Sequence, residues 1–286
     1  MKKTAWLLVL LLLTSLAAGA AAEEAAFRQE DILIDAGDHQ IPATLTVPLK
    51  GEGPFPAVVM LHGNGSNRHE AGGGYDLMAP KFAENGIASL RIDYIGNGDS
   101  QTDYLEFTHE KGVEDALKAY DHLLTLPEVD KERIGVMGWS QGGGIALVAA
   151  SRQAGFKSVL TWAGANYDGT IDESAYETAK KDGFYLSEYG WREPLKLSPA
   201  YFEVLKAFIV ADAVPLIEAP ILAINGLLDD VVPPETAQAI IDLSGNEASG
   251  VLLLEGADHT FNIFTGDMTV FDELMDATLN WFQSTL

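Results

Sequence analysis

The chain has 286 residues, of which 47% are hydrophobic and 21% are charged, as is typical of a protein with a substantial buried core. Its length fits one large α/β domain or two small domains. The 42 Asp and Glu residues outnumber 18 Lys and Arg residues, and the resulting net charge of −24 argues against nucleic acid as a partner. The absence of cysteine excludes disulfides, thiol nucleophiles and thiolate metal sites.

Residues 1–22 have the features of a secretory signal peptide. A Met-Lys-Lys start is followed by an apolar run at 5–13 and then by small residues, so we expect cleavage after Ala22, with Ala20 as the alternative. An uncleaved membrane anchor is the other interpretation, but the apolar run is short for the roughly 20 residues of a spanning helix. The sequence therefore predicts an exported protein, secreted or periplasmic, without stable membrane insertion.

Residues 23–286 alternate short apolar runs with amphipathic segments, which indicates one α/β domain. Runs at 32–34 and 41–47 predict an opening antiparallel pair of strands. Six mainly apolar runs predict parallel strands buried on both faces: 57–61, 87–92, 134–137, 158–162, 221–224 and 251–254. Helical spacing is found at 110–125, 145–154, 234–243 and 271–282. We expect a mostly parallel eight-stranded sheet with helices on both faces.

One segment, at about 165–215, is far longer than a single crossover helix requires. It is rich in aromatic residues: Tyr167, Tyr176, Phe184, Tyr185, Tyr189, Trp191, Tyr201, Phe202 and Phe208. We expect an inserted helical cap over the carboxyl edge of the sheet. The alternative is that these rings only pack the insertion onto the body of the domain.

The motif Gly138-Trp139-Ser140-Gln141-Gly142 lies between a predicted strand and a predicted helix. Glycines on both sides of a serine allow a tight strand-to-helix turn that presents the hydroxyl group at the helix N-terminus. A serine hydroxyl is a weak nucleophile unless a base and an orienting acid accompany it. The position of the motif predicts that Ser140 is a catalytic nucleophile.

The base and the acid are expected downstream, in the order Ser, Asp or Glu, His. His259 is the single histidine after Ser140, in a loop that follows the last predicted strand. Asp229 follows the preceding strand, so its loop passes beside the histidine loop. Asp230 and Asp258 remain alternatives for the acid, whose role is to fix the imidazole tautomer.

Two backbone N–H groups are expected to form an oxyanion hole. One belongs to Gln141, directly after the nucleophile, and the other to the loop His62-Gly63-Asn64-Gly65, with Asn64 as the donor. Gly63 permits a close backbone approach, and we expect His62 to hold this loop by hydrogen bonds.

These motifs, together with the segments 91–100, 226–233 and 256–261, resemble serine esterases of the α/β-hydrolase superfamily over most of the mature chain. The segments 96–100, 183–186 and 256–261 are similar to those of bacterial cinnamoyl and feruloyl esterases. The resemblance implies an α/β-hydrolase fold with an inserted cap that binds the phenolic end of the substrate. It also implies substrate-binding roles for Tyr185 and Asp168.

The sequence therefore predicts a carboxylic-ester hydrolase that acts on a small-molecule ester by a Ser-His-Asp acyl-enzyme mechanism, without a metal ion or organic cofactor. The alternative enzyme is a serine peptidase of the prolyl-oligopeptidase or dipeptidyl-peptidase type, although we expect no propeller-sized N-terminal domain. A non-catalytic binding module on a hydrolase fold is the alternative from another class. The acyl group, the alcohol and the oligomeric state are left open by the sequence.

Overall fold

The computed structural model describes residues 25–190 and 192–286, and the predicted signal peptide at 1–22 lies outside them. The apolar runs of the sequence form most of the strands. In chain order these are β1 Phe27–Asp35, β2 Gln40–Pro48, β3 Phe55–Leu61, β4 Ala88–Ile92, β5 Val129–Trp139, β6 Phe156–Trp162, β7 Tyr185–Tyr189, β8 Arg192–Leu197, β9 Ile221–Gly226 and β10 Gly250–Leu254.

Eight strands form the central sheet, in the order β1-β2-β4-β3-β5-β6-β9-β10. Strand β2 pairs antiparallel with both β1 and β4, and the other neighbours pair in parallel. The predicted mostly parallel eight-stranded sheet is therefore confirmed. Because the carboxyl ends of the parallel strands share one edge, the loops after β3, β5, β9 and β10 meet there.

The helices are α1 Gly74–Glu84, α2 His109–Leu123, α3 Gln141–Arg152, α4 Glu173–Asp182, α5 Pro199–Ala207, α6 Val210–Ala213, α7 Glu235–Asp242 and α8 Thr269–Thr285. They cover both faces of the sheet. Val59 and Leu61 of β3 pack in the core cluster that includes α2 and α3, whereas Val58 and Met60 pack in the cluster that includes α1 and α8. Successive strand residues point to opposite faces, so an uninterrupted apolar strand fills both clusters.

The insertion between β6 and β9, residues 163–220, includes the predicted segment at about 165–215. It contains helices α4, α5 and α6, as expected of a helical cap, and also the antiparallel hairpin of β7 and β8, which the sequence analysis did not expect. Tyr185 and Tyr201 pack with Phe202 in a small cluster of their own. This cluster joins the hairpin to the helices of the insertion.

Among the helices of residues 25–190 and 192–286, none combines the length and the hydrophobicity that a membrane span requires.

Candidate active site

The turn between β5 and α3 holds Ser140 in a strained conformation, with φ 53° and ψ −117°. The flanking glycines are required by close packing. A Cβ on Gly138 would overlap the carbonyl oxygen of Gly142, and a Cβ on Gly142 would overlap the carbonyl oxygen of Leu61. The backbone N–H of Ser140 donates to the carbonyl oxygen of Trp162 at 2.8 Å. A positive φ in a residue other than glycine is a conformation that persists where the surroundings enforce it, often at functional sites.

Three side chains from separate loops form a hydrogen-bonded row at the sheet edge. His259 Nε2 lies 3.2 Å from Ser140 Oγ, and His259 Nδ1 lies 2.8 Å from Asp229 Oδ2. Because a carboxylate only accepts hydrogen bonds, this pairing assigns the proton to Nδ1 and leaves the Nε2 lone pair facing the serine. The imidazole is 18% exposed and the Asp229 carboxylate is fully buried, so the acid end of the row is closed to solvent.

Of the three acids that the sequence left open, Asp229 is the one that bonds His259. Its Oδ1 accepts the backbone N–H groups of Val231 and Val232, at 2.9 and 2.8 Å, which fixes the carboxylate. Asp230 is exposed. The Asp258 carboxylate instead closes its own turn, accepting from the N–H of Thr260 at 2.7 Å.

The loop after β3 lies directly beside the serine, because a Cβ built on Gly63 would be 3.5 Å from the Ser140 Cβ. The Gly63 carbonyl oxygen lies 2.8 Å from His62 Nδ1 and 3.2 Å from the donating N–H of Ser66. The amide N–H of Asn64 belongs to the same trans peptide as this carbonyl group, so it points in the direction opposite to the Gly63 carbonyl oxygen. The N–H of Gln141, at the first position of α3, has no partner within the helix.

His62 holds this loop, as the sequence analysis expected. Its Nε2 lies 3.3 Å from the Tyr94 N–H, which donates to it, and its Nδ1 donates to the Gly63 carbonyl oxygen. Burial lowers the pKa of His62 to about 4, so the ring is neutral at physiological pH.

Several residues at this site were missed by sequence reasoning. The Glu70 carboxylate accepts hydrogen bonds from the N–H groups of Gly63 and Ala71, and burial raises its pKa. Its backbone has φ 61° and ψ 177°, in a region that is populated almost only by glycine. From the insertion, Tyr189 and Arg192 both reach Asn64. No local sequence pattern signals the two contacts with Asn64, because they join distant parts of the chain.

The two residues expected to bind substrate lie elsewhere in the insertion. Tyr185 is half-buried, and its ring lies edge-on to Phe202 with 6.4 Å between centroids. Asp168 is exposed and accepts the N–H of Thr170 at 2.8 Å. Within residues 25–190 and 192–286, no hydrogen bond or ion pair joins either one to Ser140, Asp229 or His259.

The same described ranges contain no group of three or more His, Asp or Glu side chains placed to hold a metal ion. The groups that Ser140, His259, Asp229 and the two loops bring together are a hydroxyl, an imidazole, a carboxylate and backbone N–H donors.

Comparison with known proteins assigns the chain to a family. The model of the prolyl oligopeptidase family matches residues 75–286, which include Ser140, Asp229 and His259. The chain belongs to the prolyl oligopeptidase family. The match confirms the predicted resemblance to α/β-hydrolases. The family is named after the prolyl oligopeptidases, the type of serine peptidase that the sequence analysis kept as the alternative enzyme.

Two of the curated relatives that the chain resembles are named for different hydrolytic activities. The 2,6-dihydropseudooxynicotine hydrolase of Paenarthrobacter nicotinovorans is 27% identical over 224 residues, which cover 77% of this chain and 56% of that protein. The acetyl esterase Axe7A of Xylanibacter ruminicola is 25% identical over 228 residues, covering 72% of this chain and 49% of that protein. The chain spans about half the length of these relatives.

Among solved structures, Est1E from Butyrivibrio proteoclasticus with bound ferulic acid is similar in fold. Its TM-score is 0.71 at 21% sequence identity, and the match covers 89% of this chain and 98% of that one. This likeness supports the α/β-hydrolase fold.

Proposed function

We propose that this family member is a serine hydrolase that cleaves carboxylic esters through an acyl-enzyme intermediate. The observation that carries the proposal is the hydrogen-bonded row of Ser140, His259 and Asp229, at 3.2 and 2.8 Å. A hydroxyl group, an imidazole and a buried carboxylate, hydrogen-bonded in that order, are the parts that nucleophilic acyl transfer requires.

In the first step, Ser140 Oγ attacks the ester carbonyl carbon while its proton moves to His259 Nε2. The carbonyl π bond breaks and its electron pair moves to the oxygen, which becomes an oxyanion. Asp229 keeps the proton on Nδ1 and stabilises the imidazolium as it forms. When the tetrahedral intermediate collapses, the imidazolium gives its proton to the departing alcohol and the acyl group remains on Ser140.

In the second step, a water molecule replaces Ser140 as the nucleophile and the same proton transfers occur again. His259 takes a proton from the water as the oxygen attacks the acyl carbon, and it returns the proton to Ser140 Oγ when the carboxylic acid leaves. In both steps the N–H groups of Gln141 and Asn64 donate to the oxyanion. Such donors are fixed before the reaction begins, which is why they stabilise the transition state without a cost of reorganisation.

For the substrate class, we propose esters of hydroxycinnamic acids. The aromatic-rich insertion beside the site supports this, as does the fold of Est1E, whose structure holds ferulic acid. Aromatic side chains bind a planar phenolic ring through offset or edge-to-face contacts worth about 0.5–1.5 kcal/mol for each pair. Tyr185 and Asp168 are the proposed substrate-binding residues.

The test is a hydrolysis panel of p-nitrophenyl acetate, methyl ferulate, and alanine and proline anilides, run on the wild type and on Ser140→Ala. We expect ester turnover that falls by about 10⁴–10⁶-fold in Ser140→Ala. Ser100→Ala, at another serine in a glycine-rich turn, is the matched control and should keep its activity. A fluorophosphonate probe should label the wild type at Ser140, whereas a non-catalytic binding module would not react.

The family match favours a second candidate, peptide hydrolysis, because the prolyl oligopeptidase family model covers residues 75–286. The same row of side chains would serve, with an amine as the leaving group. The anilides in the panel separate the two candidates: turnover of anilides above that of esters would replace the esterase proposal with the peptidase.

We also propose that the protein is exported, secreted or periplasmic, after removal of residues 1–22. The basic start, the short apolar run and the small residues before Ala22 support this. N-terminal sequencing of the protein recovered from the medium or the periplasm should begin at Glu23, or at Ala21 if Ala20 is the cleavage point. Recovery of a chain that starts at Met1 in the membrane fraction would instead indicate an uncleaved anchor.

A further inference from the structure

The β7–β8 hairpin of the insertion is hydrogen-bonded to the loop after β3, which carries the second proposed oxyanion donor. Arg192, the first residue of β8, donates from Nη1 to the backbone carbonyl oxygen of Asn64 at 2.8 Å. Tyr189, the last residue of β7, accepts a hydrogen bond from Asn64 Nδ2 at 3.0 Å. The hairpin therefore contacts both the backbone and the side chain of a single loop residue.

Gly65 makes room for this contact. A Cβ at position 65 would overlap Nη1 of Arg192, and the backbone of Gly65 has φ 54°, which glycine adopts at little cost. The loop is thus shaped to admit a guanidinium group against its backbone.

The contact completes the immobilisation of Asn64. On one side, the Gly63–Asn64 peptide is fixed through its carbonyl oxygen by His62 Nδ1 and by the N–H of Ser66. On the other side, the Asn64–Gly65 peptide is fixed through its carbonyl oxygen by Arg192. With both flanking peptides held, the direction of the Asn64 N–H is set.

The guanidinium charge also lies within electrostatic reach of this loop. Burial is the main cause that lowers the pKa of His62, and the Arg192 charge acts in the same direction. The positive charge of Arg192, which contacts the Asn64 backbone, would also favour negative charge on a substrate oxygen bound by the loop.

We propose that Arg192 is a positioning residue for the chemical step, which holds Asn64 so that its N–H faces the developing oxyanion. This inference rests on the proposed function. It makes the insertion part of the catalytic apparatus for every ester, including esters too short to touch the aromatic residues of the insertion.

The experiment compares Arg192→Gln with Lys196→Gln in steady-state hydrolysis of p-nitrophenyl acetate. Lys196 is the matched control, because it is an exposed cation of the same strand whose amine lies over the ring of Phe184, 5.4 Å from its centroid. A donor that is misplaced by about 1 Å can cost about 100-fold in rate. We expect kcat to fall about 10- to 100-fold in Arg192→Gln with KM nearly unchanged, and neither value to change in Lys196→Gln.

Chemical rescue of kcat and measurement of Tm test whether the role of Arg192 is purely structural. In Arg192→Ala, guanidinium ion at non-denaturing concentration should restore part of kcat, and Tm should stay close to that of Lys196→Gln. Gly65→Ala should lower kcat in wild type but add little further loss in Arg192→Gln, because both changes break the same contact.

Unchanged kcat in Arg192→Gln, a change confined to KM, or a lower Tm without guanidinium rescue would each overturn the inference. These outcomes differ from a failure of the proposed function, in which the wild type hydrolyses no ester or Ser140→Ala remains as active as the wild type.

Discussion

The indole Nε1 of Trp139 donates a hydrogen bond to the backbone carbonyl oxygen of His259, with 3.1 Å between the two atoms. Trp139 is 2% exposed and packs edge-on to Trp162, with 5.3 Å between ring centroids. It directly precedes Ser140, so one buried side chain joins the serine turn to the histidine loop. The separation of Ser140 Oγ and His259 Nε2 therefore depends on a tryptophan that itself contacts no substrate in the proposed mechanism.

Trp139→Phe should retain most of the packing and remove the donor. A hydrogen bond contributes about 0.5–1.5 kcal/mol, and its loss here would loosen the loop that carries His259. We expect kcat for p-nitrophenyl acetate to fall by about 3- to 30-fold with little change in KM. Trp281→Phe is the control, since the Trp281 indole nitrogen is buried and has no hydrogen-bond partner among the described residues. Equal kcat values in the two variants would contradict the prediction.

The identity of the acid is tested by Asp229→Asn against Asp230→Asn. An amide at position 229 would present an N–H₂ group to His259 Nδ1, which favours the wrong imidazole tautomer, so kcat should fall by about 10³–10⁴-fold. The exposed Asp230 has no hydrogen bond to His259, and its variant should keep full activity. Loss of activity in Asp230→Asn alone would identify Asp230 as the acid in place of Asp229.

Stability at acid pH should depend on His109, whose two ring nitrogens are buried without a hydrogen-bond partner among the described residues. Burial lowers the pKa of His109 to about 3, whereas histidine in an unfolded chain titrates near about 6.5. Between these two values the unfolded state binds a proton that the native state does not. The free energy of unfolding therefore falls as the pH decreases from about 6.5 towards 3.

His109→Phe removes this titration while filling a site surrounded by the rings of Phe107, Tyr167, Tyr201 and Phe208. Urea unfolding at about pH 7 and about pH 5 should show that the wild type loses about 2 kcal/mol more than the variant over this interval. The same loss in His109→Phe and in the wild type would refute the assignment.

The central sheet could be predicted because parallel strands covered on both faces must be continuously apolar, and such runs are visible in a single sequence. The hairpin of the insertion could not. Residues 185–189 and 192–197 form short segments that mix apolar with polar and charged residues, so they carry little of that signal. Their aromatic residues suggested a cap, but not its secondary structure.

The side chains of the proposed catalytic row could be predicted because each lies in a loop after a strand whose carboxyl end is at the same sheet edge. The residues around the row could not, since their contacts join positions far apart in sequence. Arg192 and Asn64 are 128 residues apart, and Trp139 and His259 are 120 apart. Glu70 lies only 7 residues from Gly63, yet its role depends on a backbone conformation that the residue type disfavours.

The proposed recognition of hydroxycinnamates is tested by Tyr185→Ala. If the half-buried ring and its hydroxyl group contact the phenolic end of the substrate, the loss of about 1–3 kcal/mol should raise KM for methyl ferulate by several-fold to about 100-fold. Hydrolysis of p-nitrophenyl acetate, which is too short to reach the ring, should hardly change.

Tyr176→Ala supplies the control for packing in this experiment, because Tyr176 also packs against Phe202, with 5.8 Å between ring centroids. If both tyrosines serve only the small cluster around Phe202, the two variants should lose stability alike and lose kcat/KM equally on both esters. A loss on methyl ferulate that occurs in Tyr185→Ala but not in Tyr176→Ala supports recognition by Tyr185. Parallel losses on both esters would remove Tyr185 from substrate binding and leave the ester-hydrolase proposal unaffected, because that proposal depends on the row of Ser140, His259 and Asp229 instead.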